Sequence, residues 1–388
     1  MHLFISAGEP SGDLHGANLI RSLKKYDPTI QFVGFGGDKM EQAGCRLLFP
    51  LTRLAVMWFL RVFLNIFTFL RLLKQAKKYF VEQKPDALIV IDYPGFHWAL
   101  AKRAHAAGVP VYYFVPPQLW AWADWRIKKM KKWFKKVLSA LPFEDAWYRE
   151  RGMDSAYIGH PYFDELEDQK IDREFLENQK TLPGTVIAIL PGSRMQEVSR
   201  NLEEMLQAAF LVHQKHPDTR FLVASFNETQ ARLARQMVVG LTLPVQVHVG
   251  RTPEIIELAT ACISVSGSVS LELMYHLKPA VVIYRLNYIS LRVGRFFMKC
   301  KYISLVNLLA DQEIYPEYLT DRNPAVAVAG HINELLANPS RIADVRKALG
   351  DIRERVAQAG ACDRAARYLL DEMTLQNAKK NQMRPEAA

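Results

Sequence analysis

Short apolar runs alternate with amphipathic stretches along almost the whole chain. Continuous runs rich in Val, Ile, Leu and Phe predict strands at residues 2–7, 31–35, 87–92, 111–115 and 137–140. Runs of this kind, bounded by Gly and Pro and not alternating with polar residues, are what a parallel strand covered on both faces requires. Helical spacing fills intervals at 13–25, 38–43 and from about 98 to 107. A second series follows the polar segment 164–181, with strands predicted at 186–190, 221–224, 245–249, 261–265 and 280–284 and a helix over 202–213. Strand–helix repetition in two blocks predicts an α/β protein with two doubly wound, Rossmann-like domains. The domains are expected at 1–165 and 182–350, followed by a helix over 351–375 and a loose polar tail over 376–388.

Two stretches break this rhythm. Residues 54–73 are apolar and aromatic, with Trp58, Phe59, Phe63, Phe67 and Phe69 among them. The run is long enough to span a bilayer, but Arg61, Asn65 and Arg71 interrupt it, and a mid-span Arg costs about 2.5–3.5 kcal/mol on insertion scales. An interfacial or acyl-binding helix with those aromatics exposed fits better; a helix buried between domains is the alternative. Residues 119–136 hold seven cations and four tryptophans. Trp favours the headgroup region and Lys favours anionic lipid. A solvated helix face, or a surface for single-stranded nucleic acid, stays open.

Composition narrows the class without choosing a function. Of 388 residues, 49% are apolar and 23% charged, which excludes collagen, coiled coil and bulk disorder. Fifty Lys+Arg against 40 Asp+Glu give a net charge of +10, suited to anionic partners. Cys45, Cys262, Cys300 and Cys362 form no CxxC, and no Cys/His group has zinc-ligand spacing. The first residues lack a basic n-region and run straight into a strand pattern, so no signal peptide is expected and a reducing compartment is favoured.

Chemistry is expected in turns that follow strands. Leu190-Pro191-Gly192-Ser193-Arg194 leads from a strand into a helix, where backbone N–H groups and the helix dipole favour an anion. Arg194 adds a planar fork suited to a diphosphate; a tight turn with a surface arginine is the plainer alternative. Ser266-Gly267-Ser268 follows another strand, and Glu272 lies about one turn into the next helix, placed to hold ribose hydroxyls. Two such turns at strand C-termini would face one crevice, which points to a nucleotide diphosphate in the second domain. In the first domain, Gly8-Glu9-Pro10-Ser11-Gly12-Asp13 opens a helix, with Ser11 and Asp13 as expected N-caps. Asp92, at a strand end before Tyr93-Pro94-Gly95-Phe96-His97, is either a general base or a turn cap.

Together with Val115-Pro116-Pro117-Gln118-Leu119-Trp120-Ala121-Trp122, Leu141-Pro142-Phe143-Glu144, Ile158-Gly159-His160 and Ser304-Leu305-Val306-Asn307-Leu308-Leu309, these motifs stand in an order similar to that of the lipid-A-disaccharide synthase family, over about residues 2–370. The resemblance implies an inverting glycosyltransferase of the GT-B type, two Rossmann-like domains facing a crevice. It implies UDP-2,3-diacylglucosamine as donor and 2,3-diacylglucosamine 1-phosphate as acceptor, giving the β(1→6) disaccharide 1-phosphate and UDP. It also implies peripheral attachment to the inner, cytoplasmic face of the cell membrane. The expected partners are the two acylated sugars and an anionic lipid surface, with no nucleic acid; self-association is left open. Neither metal nor cofactor is expected.

By the same resemblance, Asp92 is the base and Arg194 neutralises the leaving diphosphate. Ser193, Glu197, Ser266, Gly267, Ser268 and Glu272 hold the UDP-sugar, and Asn307 lines the crevice. Gly8, Glu9, Ser11 and Gly12 shape the acceptor side, and Trp58, Phe59, Phe63 and Phe67 meet acyl chains. The sequence departs from the family's usual Pro-Asp-Phe-Asn at Pro94-Gly95-Phe96-His97, and from its Met-Gly and following Glu at Trp58 and Arg61. Acyl length and the exact acceptor stay open. Two other classes also remain: another GT-B UDP-sugar transferase or epimerase, and a non-catalytic membrane-surface protein.

Overall fold

The computed structural model describes residues 1–55 and 66–382. These form two compact units, Met1–Glu167 together with the chain from Gln358 onward, and Asp168–Ala357. The first unit carries β1 (His2–Ala7), β2 (Gln31–Phe35), β3 (Cys45–Phe49), β4 (Ala87–Ile91), β5 (Val111–Phe114), β6 (Lys136–Ser139) and β7 (Ser155–Tyr157). They build one parallel sheet in the order β3-β2-β1-β4-β5-β6-β7. The second unit carries β8 (Thr185–Leu190), β9 (Thr219–Ser225), β10 (Val245–Val249), β11 (Ala261–Val265), β12 (Ala280–Arg285) and β13 (Glu317–Thr320). Its parallel sheet runs β10-β9-β8-β11-β12-β13.

The helices that flank the sites are α1 (Pro10–Tyr26), α2 (Asp38–Gln42), α3 (Ile66–Gln83), α4 (Pro94–Ala106), α5 (Met195–Lys215), α6 (Val269–Tyr275), α7 (Tyr288–Phe297), α8 (Pro339–Val356) and α9 (Ala361–Gln382). Alternate residues of β1 serve opposite layers, as the pleat requires. Leu3, Ile5 and Ala7 pack under α1 and α9, while Phe4 packs with Leu72, Leu73, Ala76 and Phe80 of α3. Burial on both faces explains why the central strands read as unbroken apolar runs.

Three strands have no counterpart in that reading: β3, β7 and β13. Each is a sheet edge, and each is only partly covered, so its sequence mixes polar and apolar positions. The C-terminal part also differs. The single helix expected over 351–375 is two helices, α8 and α9, that belong to different units. The Asp164 carboxylate breaks the run by capping the second helix, accepting N–H bonds from Gly360, Ala361 and Cys362 at 2.7, 3.0 and 2.9 Å. Ala361, Cys362, Ala365, Ala366, Leu369 and Met373 then join the first unit's core. The expected tail is helical as far as Gln382; residues 383–388 lie outside the described residues.

Candidate active site

In an open parallel sheet, ligands bind where the strand order reverses, outside the strands' carboxyl ends. In the first sheet the order reverses between β1 and β4, and in the second between β8 and β11. The four loops singled out from sequence leave these four strands.

In the second unit, β8 ends at Leu190 and α5 begins at Met195. Gly192 has φ of +113° and lies against the Glu197 side chain, a position where a Cβ would overlap that carboxylate. Glu197 accepts the Arg194 N–H at 3.1 Å and pairs with its guanidinium at 3.5 Å. Glu197 therefore holds the turn and steers the exposed Arg194. Arginine carries no acceptor, so its side chain caps none of the first-turn N–H groups of α5. The buried Gln230 fixes the turn from below, its amide donating to the Ser193 carbonyl at 2.7 Å. After the adjacent β11, Ser266 donates to the Ile303 carbonyl at 2.7 Å. Gly267 and Ser268 are exposed, and no atom lies within 4 Å of where a Gly267 Cβ would stand. Glu272 is nearly covered on α6, with the Gln169 amide 3.4 Å away.

In the first unit, β4 passes into α4 through Asp92 and Tyr93, both non-glycine residues in the left-handed region with φ of +50° and +48°. That backbone costs of order 1–3 kcal/mol per residue and persists only where neighbours fix it. Gly8 is one such neighbour: a Cβ there would overlap the Tyr93 ring. The Asp92 carbonyl accepts two bonds, from Tyr113 Oη at 2.8 Å and from His97 Nδ1 at 2.6 Å. Since the carbonyl only accepts, Nδ1 carries the proton. His97 Nε2 then accepts from Ser6 Oγ at 2.9 Å. His97 is wholly buried, and this burial pushes its pKa down to about 4, keeping the imidazole neutral. Asp92 itself is half-buried at the mouth.

Several expected roles are corrected. Ser11 and Asp13 do not cap α1. With Pro10 at its first position, α1 starts after Glu9, so both residues lie inside it. Ser11 is exposed and Gly12 buried. The Asp13 carboxylate instead caps α2 across the sheet edge, accepting from Gly37, Lys39 and Met40 N–H at 2.8, 3.0 and 3.1 Å. Asn307 lines no cleft. It is completely buried, donating to the Tyr315 carbonyl and Glu317 and accepting from Ile314 and Tyr315 N–H. Its side chain is spent on holding its own loop.

Trp120 is interior, its indole N–H donating to the buried Glu144 at 3.1 Å, and Trp133 is half-buried. Of that segment's tryptophans, Trp122 and Trp125 are exposed, beside exposed Lys128, Lys129, Lys131 and Lys132. Phe67 is 79% exposed, but Phe69 is half-buried, 5.7 Å from the Phe96 ring. Trp58, Phe59, Arg61, Phe63 and Asn65 lie outside the described residues. No helix among the described residues is long and apolar enough to cross a membrane. The sequence reading missed Ser6, Tyr113 and Gln230. Ser6 left a signal: a lone hydroxyl in the otherwise apolar run from Leu3 to Ala7.

A family model described as lipid-A-disaccharide synthetase matches residues 3–371. The chain is 34% identical over 373 residues to the lipid-A-disaccharide synthase of Trichlorobacter lovleyi, covering 95% of this chain and 96% of that protein. It is 33% identical to the synthase of Myxococcus xanthus, covering 95% and 97%. Among solved structures it resembles a UDP-GlcNAc 2-epimerase from Neisseria meningitidis bound to UDP-GlcNAc, with TM-score 0.68, 13% identity and coverage of 96% and 100%. It also resembles MurG from Acinetobacter baumannii, with TM-score 0.54, 12% identity and coverage of 96% and 99%. At such identities these two likenesses establish the GT-B type of fold alone. Two parallel α/β units and a match along nearly the whole length converge: the chain belongs to the lipid-A-disaccharide synthase family.

Proposed function

We propose that the two switch points divide one glycosyl transfer between them. As a member of its family the chain is a glycosyltransferase of lipid A biosynthesis, joining UDP-2,3-diacylglucosamine to 2,3-diacylglucosamine 1-phosphate. The acceptor's 6-hydroxyl attacks the donor's anomeric carbon from the face opposite the leaving group. The bond from that carbon to the diphosphate oxygen breaks, UDP departs, and the configuration inverts to β. Asp92 takes the hydroxyl proton as it is lost. Glu9 and Ser11, beside it at the β1 end, face the acceptor, while the buried Gly8 and Gly12 shape the turn that presents them. Arg194, with Ser193 and the first-turn N–H groups of α5, meets the charge that develops on the diphosphate. The Ser266-Gly267-Ser268 turn approaches the nucleotide by its backbone, and Glu272 takes the ribose hydroxyls as the 3.4 Å contact from Gln169 gives way.

What carries this reading is that β8 and β11, the strands feeding both anion-suited turns, are neighbours at the point where the second sheet reverses. The test is incubation of the purified chain with both monosaccharides and mass analysis for the disaccharide 1-phosphate. Product with UDP released one for one supports it; UDP released without disaccharide, or no turnover, overturns it. The exposed Ile66, Phe67, Leu70, Trp122 and Trp125 near surface lysines support peripheral contact of the first unit with the anionic inner face of the membrane.

A further inference from the structure

The helix α7 leaves the same end of the second sheet as the two candidate nucleotide turns. It follows β12, which pairs with β11, whose end carries Ser266. The connection is firm: Arg285 donates its N–H to Asn201 at 2.9 Å and pairs through its guanidinium with the buried Glu204. Asn287 caps the helix, accepting the Ser290 N–H at 2.7 Å.

The helix itself is almost unpacked. Leu291 is its one buried residue. Ile289, Val293 and Phe296 are 73%, 53% and 84% exposed. Their spacing of four and three residues aligns them as one apolar stripe. Tyr288, Arg292 and Arg295 form a neighbouring stripe with the same spacing, Arg292 lies 5.0 Å over the Tyr288 ring, and the exposed Lys299 follows just past the helix end. Lys301 follows, and no Asp or Glu occurs between Arg285 and Asp311.

We propose that α7 is a second docking element, by which the nucleotide-binding unit rests on an anionic lipid bilayer. Large apolar side chains in line, on a segment whose charged residues are all cations, match the apolar interior and anionic surface of such a bilayer. Ten residues are too short to span and suited to lying in the interface. Because α7 starts at the sheet end that would hold UDP, the donor's acyl chains stay in the bilayer while its sugar reaches the turns. That last step rests on the transferase reading; the lipid contact does not.

The experiment is flotation of the full chain with vesicles of phosphatidylcholine alone and of phosphatidylcholine with phosphatidylglycerol. The triple variant Ile289→Ser, Val293→Ser, Phe296→Ser is expected to bind the mixed vesicles more weakly by about tenfold to a hundredfold, since three apolar side chains no longer enter the interface. The variant Arg292→Gln, Lys299→Gln, Lys301→Gln is expected to lose part of the preference for phosphatidylglycerol, the remainder being carried by the lysines of the first unit, and an unchanged preference counts against the proposal. Unchanged partition of the first variant overturns the proposal. So does a change in sedimentation coefficient with unchanged partition, which makes the stripe a contact between copies of the chain. Thermal protection by UDP, measured in parallel, serves as the control for folding. If even the unmodified chain gains no protection from UDP, the nucleotide-site reading fails while the vesicle result stands, with circular dichroism then reporting the fold.

Discussion

Replacing His97 with Asn tests the network that holds Asp92. The imidazole is fully buried, donates from Nδ1 to the Asp92 carbonyl and accepts from Ser6. Its folded pKa is held at about 4 by burial, against about 6.5 in the unfolded chain. A group with a depressed folded pKa takes up protons more readily when unfolded. The stability it contributes is therefore complete above pH 6.5 and falls as the pH drops toward 4. Linkage over those two values gives a loss of about 2 kcal/mol between pH 8 and pH 5 from His97 alone. His160, pushed down to about 3 by desolvation and by the neighbouring His15, adds a parallel loss, but it does so in wild type and variant alike. At pH 8 the variant is expected to be less stable by about 1–2 kcal/mol, for one or two weakened hydrogen bonds. At pH 5 that gap should have closed by about 2 kcal/mol.

The assay is urea unfolding followed by tryptophan fluorescence. All seven tryptophans precede residue 148, so the signal reads the first unit and is blind to the second. A gap that stays constant from pH 8 to pH 5 refutes the reasoning, because it would mean that His97 titrates no differently in the fold than in the open chain.

Four further outcomes follow from the sites. Arg194→Ala should lower turnover by about 10²–10³ without changing the unfolding curve followed by circular dichroism; activity within a few-fold of wild type would remove it from the diphosphate. Asp92→Asn keeps the shape and removes the basicity, so turnover at saturating substrate should fall by about 10²–10⁴ with UDP affinity retained, and unchanged turnover would assign the base elsewhere. Asn307→Ala strands buried partners and should cost about 3 kcal/mol, seen as a lower urea midpoint by circular dichroism, since the tryptophans do not report the second unit; a raised KM with unchanged stability would restore it to the ligand. Gly8→Ala forces the Tyr93 ring aside, so turnover should drop while UDP still binds, and normal kinetics would show that the Asp92 turn does not depend on that contact.

The interior of each sheet was legible because strands buried on both faces must be apolar at every position. The edge strands Cys45–Phe49, Ser155–Tyr157 and Glu317–Thr320 escape that demand, and with it detection, whereas Val245–Val249, also an edge, is marked by its alternating valines. The loops of the site were legible for a related reason. Glycine, serine and proline after a strand are needed where backbone must turn sharply near a ligand. What the sequence could not separate was a side chain that faces outward from one that pins the fold. Asn307, Trp120 and Glu144 sit in motifs as conspicuous as that of Arg194, yet each is buried. Their partners come from positions brought together only by folding, as with Trp120 and Glu144. The helix that closes the first unit was hidden similarly, since the acceptor that starts α9 is Asp164, nearly two hundred residues earlier in the chain.

The two switch points also differ in how they store conformational energy. The turn after β8 uses a glycine at Gly192, and neither it nor Ser266–Ser268 contains a non-glycine residue at positive φ. The anion cradle proposed there would work through N–H groups and a flexible arginine, so it needs no strain. The turn after β4 places two consecutive non-glycine residues in the left-handed region, and Val115 after the adjacent β5 is a third. Such a turn reverses the chain in two residues, from the last residue of β4 at Ile91 to the start of α4 at Pro94. Asp92 is thereby lifted out of the sheet, as a nucleophile is in a strained strand-to-helix elbow. The base proposed at Asp92 would have to meet one hydroxyl in one direction, and thermal wandering of its backbone would cost rate directly. The buried His97 and Tyr113, both bonded to the Asp92 carbonyl, offset the strain and remove that wandering. The buried core of the first unit thus fixes the backbone from which the Asp92 carboxylate projects.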